Sequence, residues 1–258
     1  MNTLVWLAAI LFLLMIGIGG KKGARSFFAI MLNFGVLIII LFMMLGRDND
    51  PVILTIIAST LISCITLFFI NKVNITTKTA FVSTVITIVL LIFFIVFLTD
   101  RSMIQGFSEE EMGELYVFTM HIGVDFVKIA ASVIIMSTIG AITDVAISIS
   151  SPMREIFYHN PSMSRKELFV SGLSIGRDIL GTNTNTVFFA FMGGYLALLI
   201  WYKDLAYSLG EIINSKVFAE EMIGILCAGM GVAIVIPITS WVTALALVRT
   251  KKKREASQ

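Results

Sequence analysis

The chain has 258 residues, 57% hydrophobic and only 14% charged, with a formal net charge of +2. A soluble domain carries about a quarter charged residues, so this composition excludes an ordinary water-soluble fold and makes lipid the solvent. The small net charge, with no basic and aromatic groove pattern, excludes nucleic acid as a partner.

A membrane crossing needs roughly 20 mostly apolar residues at 1.5 Å rise each. Apolar runs predict seven crossings, at about 4–20, 26–45, 52–70, 80–98, 121–142, 184–202 and 222–247. No Lys or Arg precedes the first run and no small-residue cleavage site closes it, so Met1 to about Gly20 reads as a retained span. Spans one to four contain scattered hydroxyls (Ser59, Ser63, Thr66, Ser83, Thr84, Thr87) and almost no charge. They read as lipid-facing scaffold whose hydroxyls bond their own backbone.

The fifth predicted span opens with His121, Asp125 and Lys128, which steps of four and three place on one helix face. They suit either an interfacial Asp–Lys pair with a snorkelling lysine or part of a translocation path. Towards its other end Asp144, Ser148 and Ser151 share a face. Pro152 then favours an extended or kinked backbone at Ser151, so the helix is expected to finish there. That stretch suits equally a helix end simply leaving the membrane.

Beyond Pro161, Ser164-Arg165-Lys166-Glu167 is a capping box that predicts a new helix. Leu168, Gly172, Ile175 and Ile179 form its apolar side, with Phe169, Leu173, Gly176 and Leu180 beside them. An amphipathic helix over 164–180, lying in the membrane interface, is expected. The stretch Gly176-Arg177-Asp178-Ile179-Leu180-Gly181-Thr182-Asn183-Thr184-Asn185-Thr186 follows. The apolar run after it is too short for a core of about 30 Å, so the crossing must recruit residues from Asn183 backwards or the local bilayer must thin. Asp178, Thr182 and Asn185 repeat the four-plus-three spacing, and Gly181 offers a break. In the last span Gly224/Ala228 and Gly229/Ala233 offer close contacts to a partner helix, and Pro237 predicts a kink.

Orientation follows from basic residues, which concentrate in cytoplasmic loops. With the N-terminus outside and the C-terminus inside, only Arg47, Arg101, Lys203 and Lys216 of the 19 Lys and Arg fall on outer segments, and Lys128 lies within a span. The acidic cluster Glu109-Glu110-Glu111 with Glu114 falls outside. The expected fold is therefore an all-α polytopic membrane protein in one domain, residues 1–258. It comprises a four-span apolar half over 1–98 and a polar half over 117–248.

The stretches Gly140–Ile156, His159–Thr186 and the following Gly193-Gly194 resemble the YibE/F family of bacterial multipass membrane proteins. The resemblance covers roughly 117–202, about a third of the chain, while the first four spans add little to it. It implies a bacterial plasma-membrane protein, the shorter kind of family member, with a longer partner of the same family.

Two carboxylates with hydroxyl and amide oxygens suit a hard cation or small polar solute. The leading expectation is a transport component, with Asp144, Ser148, Ser151, Asp178, Thr182 and Asn185 as its binding groups. Arg177 would neutralise an aspartate or hold a lipid phosphate, and the identity of any metal stays open. The alternative is a non-transporting assembly or signalling subunit that binds a same-family partner or a second copy. An intramembrane aspartyl enzyme is the third reading. No His-Glu-x-x-His or Walker A pattern supports catalysis. Cys64 and Cys227 lack metal-ligand spacing. No enzyme activity and no cofactor are therefore expected.

Overall fold

The computed structural model describes residues 3–44, 46, 49–102, 104 and 125–255. Among these the protein is helical throughout, in eight α-helices. They are α1 (Thr3–Met44), α2 (Pro51–Cys64, continued by a π-helical turn over Ile65–Phe69), α3 (Ile75–Ser102) and α4 (Phe126–His159). Then follow α5 (Arg165–Gly194), α6 (Leu196–Asp204), α7 (Leu209–Asn214) and α8 (Lys216–Glu255). Among the described residues five segments are long and apolar enough to cross a membrane: α1, α2 with its π-turn, α3, α4 and α8 through Lys251.

The first of these is two arms, not one rod. Gly20 sits at φ 54°, ψ −134°, inside the nominal helix. That is a left-handed φ that glycine adopts without a Cβ penalty. Phe12 and Phe27 then meet as a tilted pair with ring centroids 4.8 Å apart. Along a straight helix, fifteen residues would span about 22 Å. Gly23 completes the reversal, because a Cβ there would overlap the Met15 carbonyl. The arms match the first two predicted apolar runs.

The helix α8 is central and packs against α3, α4 and α5, while α4 also meets α2 and α3. The core joins Leu91 and Ile95 of α3, Ile135, Ile142 and Ile149 of α4, Leu168 of α5, and Val232 and Val235 of α8. A smaller cluster ties Ile40 and Met44 of α1 to Leu54 and Ala58 of α2. The most apolar window of α1 is only 17% buried, against 50% for α4 and α8, so α1 is the outer layer.

Close contacts between helices also fix the register of the bundle. A Cβ on Gly231 of α8 would meet Ile142 Cδ1 of α4 and Leu91 Cδ1 of α3, each at 2.9 Å. A Cβ on Gly172 of α5 would meet Met153 Sδ of α4 at 2.6 Å and Ser240 Oγ of α8 at 2.7 Å. Gly176 leaves no room for a side chain beside Ile236, and Thr184 Cγ2 lies against Gly229. As α5 ascends through 172, 176 and 184, its partners on α8 descend through 240, 236 and 229. The two helices are antiparallel along this length.

Three expectations change here. The interfacial helix over 164–180 is not separate, because α5 runs without interruption from Arg165 to Gly194 and stands along α8. Gly181 is no break, since a mid-helix glycine costs only about 1 kcal/mol and packing against α8 holds both flanks. The apolar face was read correctly, but it covers α8 instead of lipid. The fifth predicted span does not finish at Ser151; α4 continues through Pro152 to His159. Proline removes one backbone bond, while Ile149 and Met153 on either side are fully buried and keep the helix in place.

The hydroxyls of the first half are not lipid-facing. Ser59, Ser63, Ser83, Thr84 and Thr87 are buried at 0% exposure. Ser83 and Thr87 donate to Thr79 O and Ser83 O, as expected for backbone-bonded hydroxyls. Others bridge helices, with Ser63 Oγ 3.2 Å from Thr143 Oγ1 and Asn33 Nδ2 donating to Thr66 Oγ1.

Candidate functional site

The two ends of the bundle are marked by contacts between distant segments. At one end Asp50 caps α2 by accepting from the Val52 and Ile53 amides, and Asp125 caps α4 through the Val127 and Lys128 amides. Lys128 pairs with Asp50, not with the nearby Asp125. The expected local Asp125–Lys128 pair is thus replaced by a bridge between helices. His121 and the acidic cluster at 109–114 lie outside the described residues. The hydrogen bond from the Lys128 ammonium holds the Asp50 carboxyl below its ordinary value against that carboxyl's own desolvation, and the two amide bonds add to this.

At the other end Lys251 Nζ donates to Pro161 O at 3.0 Å, joining α8 to the α4–α5 turn. An open cavity of about 680 Å³ gathers Lys22 from the α1 turn, Asn71 and Asn74 from the α2–α3 connection, Thr76 and Thr77 from the start of α3, and Ser151, Arg154 and Glu155 from α4. The basic segments of the α1 turn, the α2–α3 loop and the α4–α5 turn therefore share one end.

Between these ends lie the two aspartates. Asp144 is exposed, on the α4 face that also carries Val133, Gly140 and Ser151, with Ser137 and Ser148 half-buried beside them. Asp178 is exposed on α5, with Arg177, Gly181, Thr182 and Asn185. Both faces point away from the buried sides of their helices, which hold Ile142, Val145 and Ile149 on α4 and Leu168, Gly172 and Gly176 on α5.

The register sets their level. Asp144 is two residues past Ile142, which meets Gly231, and so stands opposite about residue 233 of α8. Asp178 is two residues past Gly176, which meets Ile236, and so stands opposite about residue 234. The two carboxylates lie within about one helical turn, ~5 Å, of the same level. That level is near the middle of the apolar run 222–247 of α8. Sequence reading placed Asp178 at an interface because α5 was taken to lie flat.

The Thr/Asn ladder partly satisfies itself. Thr182 Oγ1 and Asn183 Nδ2 donate to Ile179 O, and Thr186 Oγ1 donates to Thr182 O. Asn183 and Thr184 are half-buried, whereas Thr182 and Asn185 are exposed beside Asp178. Some small residues of α8 turn inward: Gly229 and Gly231 receive side chains of α5, α4 and α3, and Ala228 is fully buried. Ala233 is exposed, and a Cβ on Gly224 would meet no neighbour. Pro237 lies inside the uninterrupted α8.

Residues 172–176 spell Gly-x-Ser-x-Gly, the pattern of hydrolase nucleophile turns. Here the segment is wholly helical and its glycines are packing surfaces, without the strand-to-helix turn that exposes a nucleophile. The same residues form a Gly-x-x-x-Gly pair, and that spacing was the available signal for close approach to α8. Among the described residues no group of three or more His, Cys, Asp or Glu could hold a metal. The cavity residues Lys22, Asn71, Asn74, Thr76, Thr77, Arg154 and Glu155 escaped sequence reasoning because three separate segments supply them.

A family model described as YibE/F-like protein matches residues 7–249. The match covers the first four spans as well, which corrects the view that they add little. No curated protein and no solved structure matches the chain.

Proposed function

The chain belongs to the YibE/F family, and from that premise we propose that it is a transport component of a bacterial plasma membrane whose polar site is completed by a second membrane chain. One observation carries this reading. Asp144 and Asp178 share a level near the middle of the apolar run of α8, yet both are exposed in the single molecule. Ionisable groups at membrane depth face a bundle interior or a water-filled cavity, because lipid does not solvate them. A partner surface over α4 and α5 supplies that cover, and a same-family chain or a second copy is the partner proposed.

In this reading Asp144 and Asp178 are the charged centre, with Ser148, Ser151, Thr182 and Asn185 as oxygen donors. Arg177, next to Asp178, offsets its charge at rest. A hard cation or small polar solute suits those oxygens. The chain crosses seven times, with the two arms of α1 counted separately and α5 as the sixth crossing. Clustering of basic segments at the Lys22 end supports an inside C-terminus. No enzymatic step is assigned.

The test is flux in proteoliposomes containing the chain with its co-purifying partner. Monovalent cations, divalent cations and protons are the probes, followed by entrapped fluorescent indicators. Asp144→Asn and Asp178→Asn are each expected to abolish flux while the protein still inserts and assembles. Wild-type flux from either variant would remove that residue from the site. The alternative, an assembly or signalling subunit, is favoured if assembled wild-type protein moves none of these ions.

A further inference from the structure

The strongest unassigned feature is the polar basin at the Lys22 end. The cavity of about 680 Å³ is lined by Lys22, Arg154, Glu155, Ser151, Asn74 and Thr76, among others. A second cavity of about 320 Å³ shares Lys22 and Asn71 with it and adds Lys21, Arg25 and Lys72. Together they present five cations and one carboxylate. Among the described residues no carboxylate lies within ion-pair distance of any of the five. Like charges gathered without counter-ions repel one another, so the basin is electrostatically incomplete as it stands.

Its floor is built and ordered. Asn74 Oδ1 accepts from the Thr77 amide, and Thr77 Oγ1 accepts from the Asn74 amide, so these residues cap α3 reciprocally. Thr77 Oγ1 also donates to Lys72 O, which holds Lys72 at φ 60°. The 28-residue helix α3 therefore directs its positive N-terminal end at the cavity. Beside this end Thr76 is only 5% exposed, lines the cavity, and has a buried Oγ1 with no hydrogen-bond partner. A buried hydroxyl without a partner costs about 1–3 kcal/mol, and an acceptor oxygen in the cavity would remove that cost.

We propose that this basin is an anion site for a phosphate group carried on a larger polar molecule. The helix end, the Thr76 hydroxyl and the Lys22 and Arg154 side chains form its phosphate pocket, and Lys21, Arg25 and Lys72 form its outer rim. Phosphate is the fit because it accepts several bonds at once and carries the charge to answer a net surplus of four cations. The volume exceeds that of a bare oxyanion and leaves room for a glycerol-sized substituent. The phosphate belongs either to a phospholipid headgroup or to a soluble phosphate ester. The site differs from the aspartate site, sharing only Ser151 with it.

The experiment uses the full chain in nanodiscs of neutral phosphatidylcholine, titrated calorimetrically with glycerol phosphate. A parallel arm measures thermal stabilisation as phosphatidylglycerol replaces phosphatidylcholine. Saturable binding in the first arm identifies a soluble ester, and saturable stabilisation in the second alone identifies the headgroup. In the arm that responds, the Lys22→Gln/Lys72→Gln variant is expected to weaken binding about tenfold or more. Thr76→Val, which keeps the buried shape, should weaken it severalfold. Lys78→Gln, an exposed cation outside both cavities, serves as the control. No saturable response in either arm overturns the proposal. So does an equal loss in Lys78→Gln, since that reports surface charge alone.

Discussion

Lys128 Nζ meets Asp50 Oδ2 although 78 residues separate them, and each side chain is anchored on a helix start. Asp50 thus does two jobs, capping α2 with one oxygen and pairing across to α4 with the other. Asp50→Ala removes both, and loss of the cap alone is expected to cost about 1 kcal/mol. Asp50→Asn keeps a capping acceptor and should fall between alanine and wild type. Thermal unfolding in detergent checks the order.

The same carboxylate predicts an acid limb. Its pKa is lowered from 3.8 in the folded protein, mainly by the Lys128 hydrogen bond. A group depressed in this direction stabilises the fold fully above its unfolded value, and the contribution is lost as pH falls through the folded one. Melting temperature should therefore decline more steeply below pH 4 in wild type than in Asp50→Asn. Parallel slopes for the two proteins would contradict the assignment.

Gly176 leaves no room for a methyl group against Ile236, and Gly172 is nearly as tight against Met153 and Ser240. Gly176→Ala is expected to destabilise by about 1–3 kcal/mol through overpacking. Pairing it with Ile236→Ala should recover part of that loss. Gly181→Ala, where a Cβ meets open space, should be neutral or slightly stabilising. Denaturation in mixed micelles measures all three.

At Gly20 the backbone φ of 54° also resists a side chain. Gly20→Ala should cost about 1 kcal/mol or more by left-handed strain alone. The consequence is a looser α1 hairpin, read as faster cross-linker access to the Met15–Gly23 turn.

If a partner covers the polar faces of α4 and α5, cysteines placed there should cross-link to it. Gly140→Cys and Asn185→Cys are expected to give intermolecular adducts in native membranes. Val89→Cys, exposed on α3, should not. Adducts from Val89 alone would place the interface elsewhere.

Composition and apolar run length by themselves determined a helical membrane protein, because lipid solvation depends on summed side-chain hydropathy and needs no partner contacts. The break between the first two apolar runs and the Ser164 capping box were also legible, since both are local in sequence, whereas the turn at Gly20 itself came only with the structure. Asp144 and Asp178 could be singled out by spacing along one helix at a time. Their common level could not, because it depends on how far α4 and α5 slide along α8. Only the tertiary packing of Gly172, Gly176 and Gly231 fixes that slide, as close approach is possible only where both surfaces permit it. The basic basin was equally invisible, for its cations come from the α1 turn, the α2–α3 connection and α4, which meet only when the bundle closes.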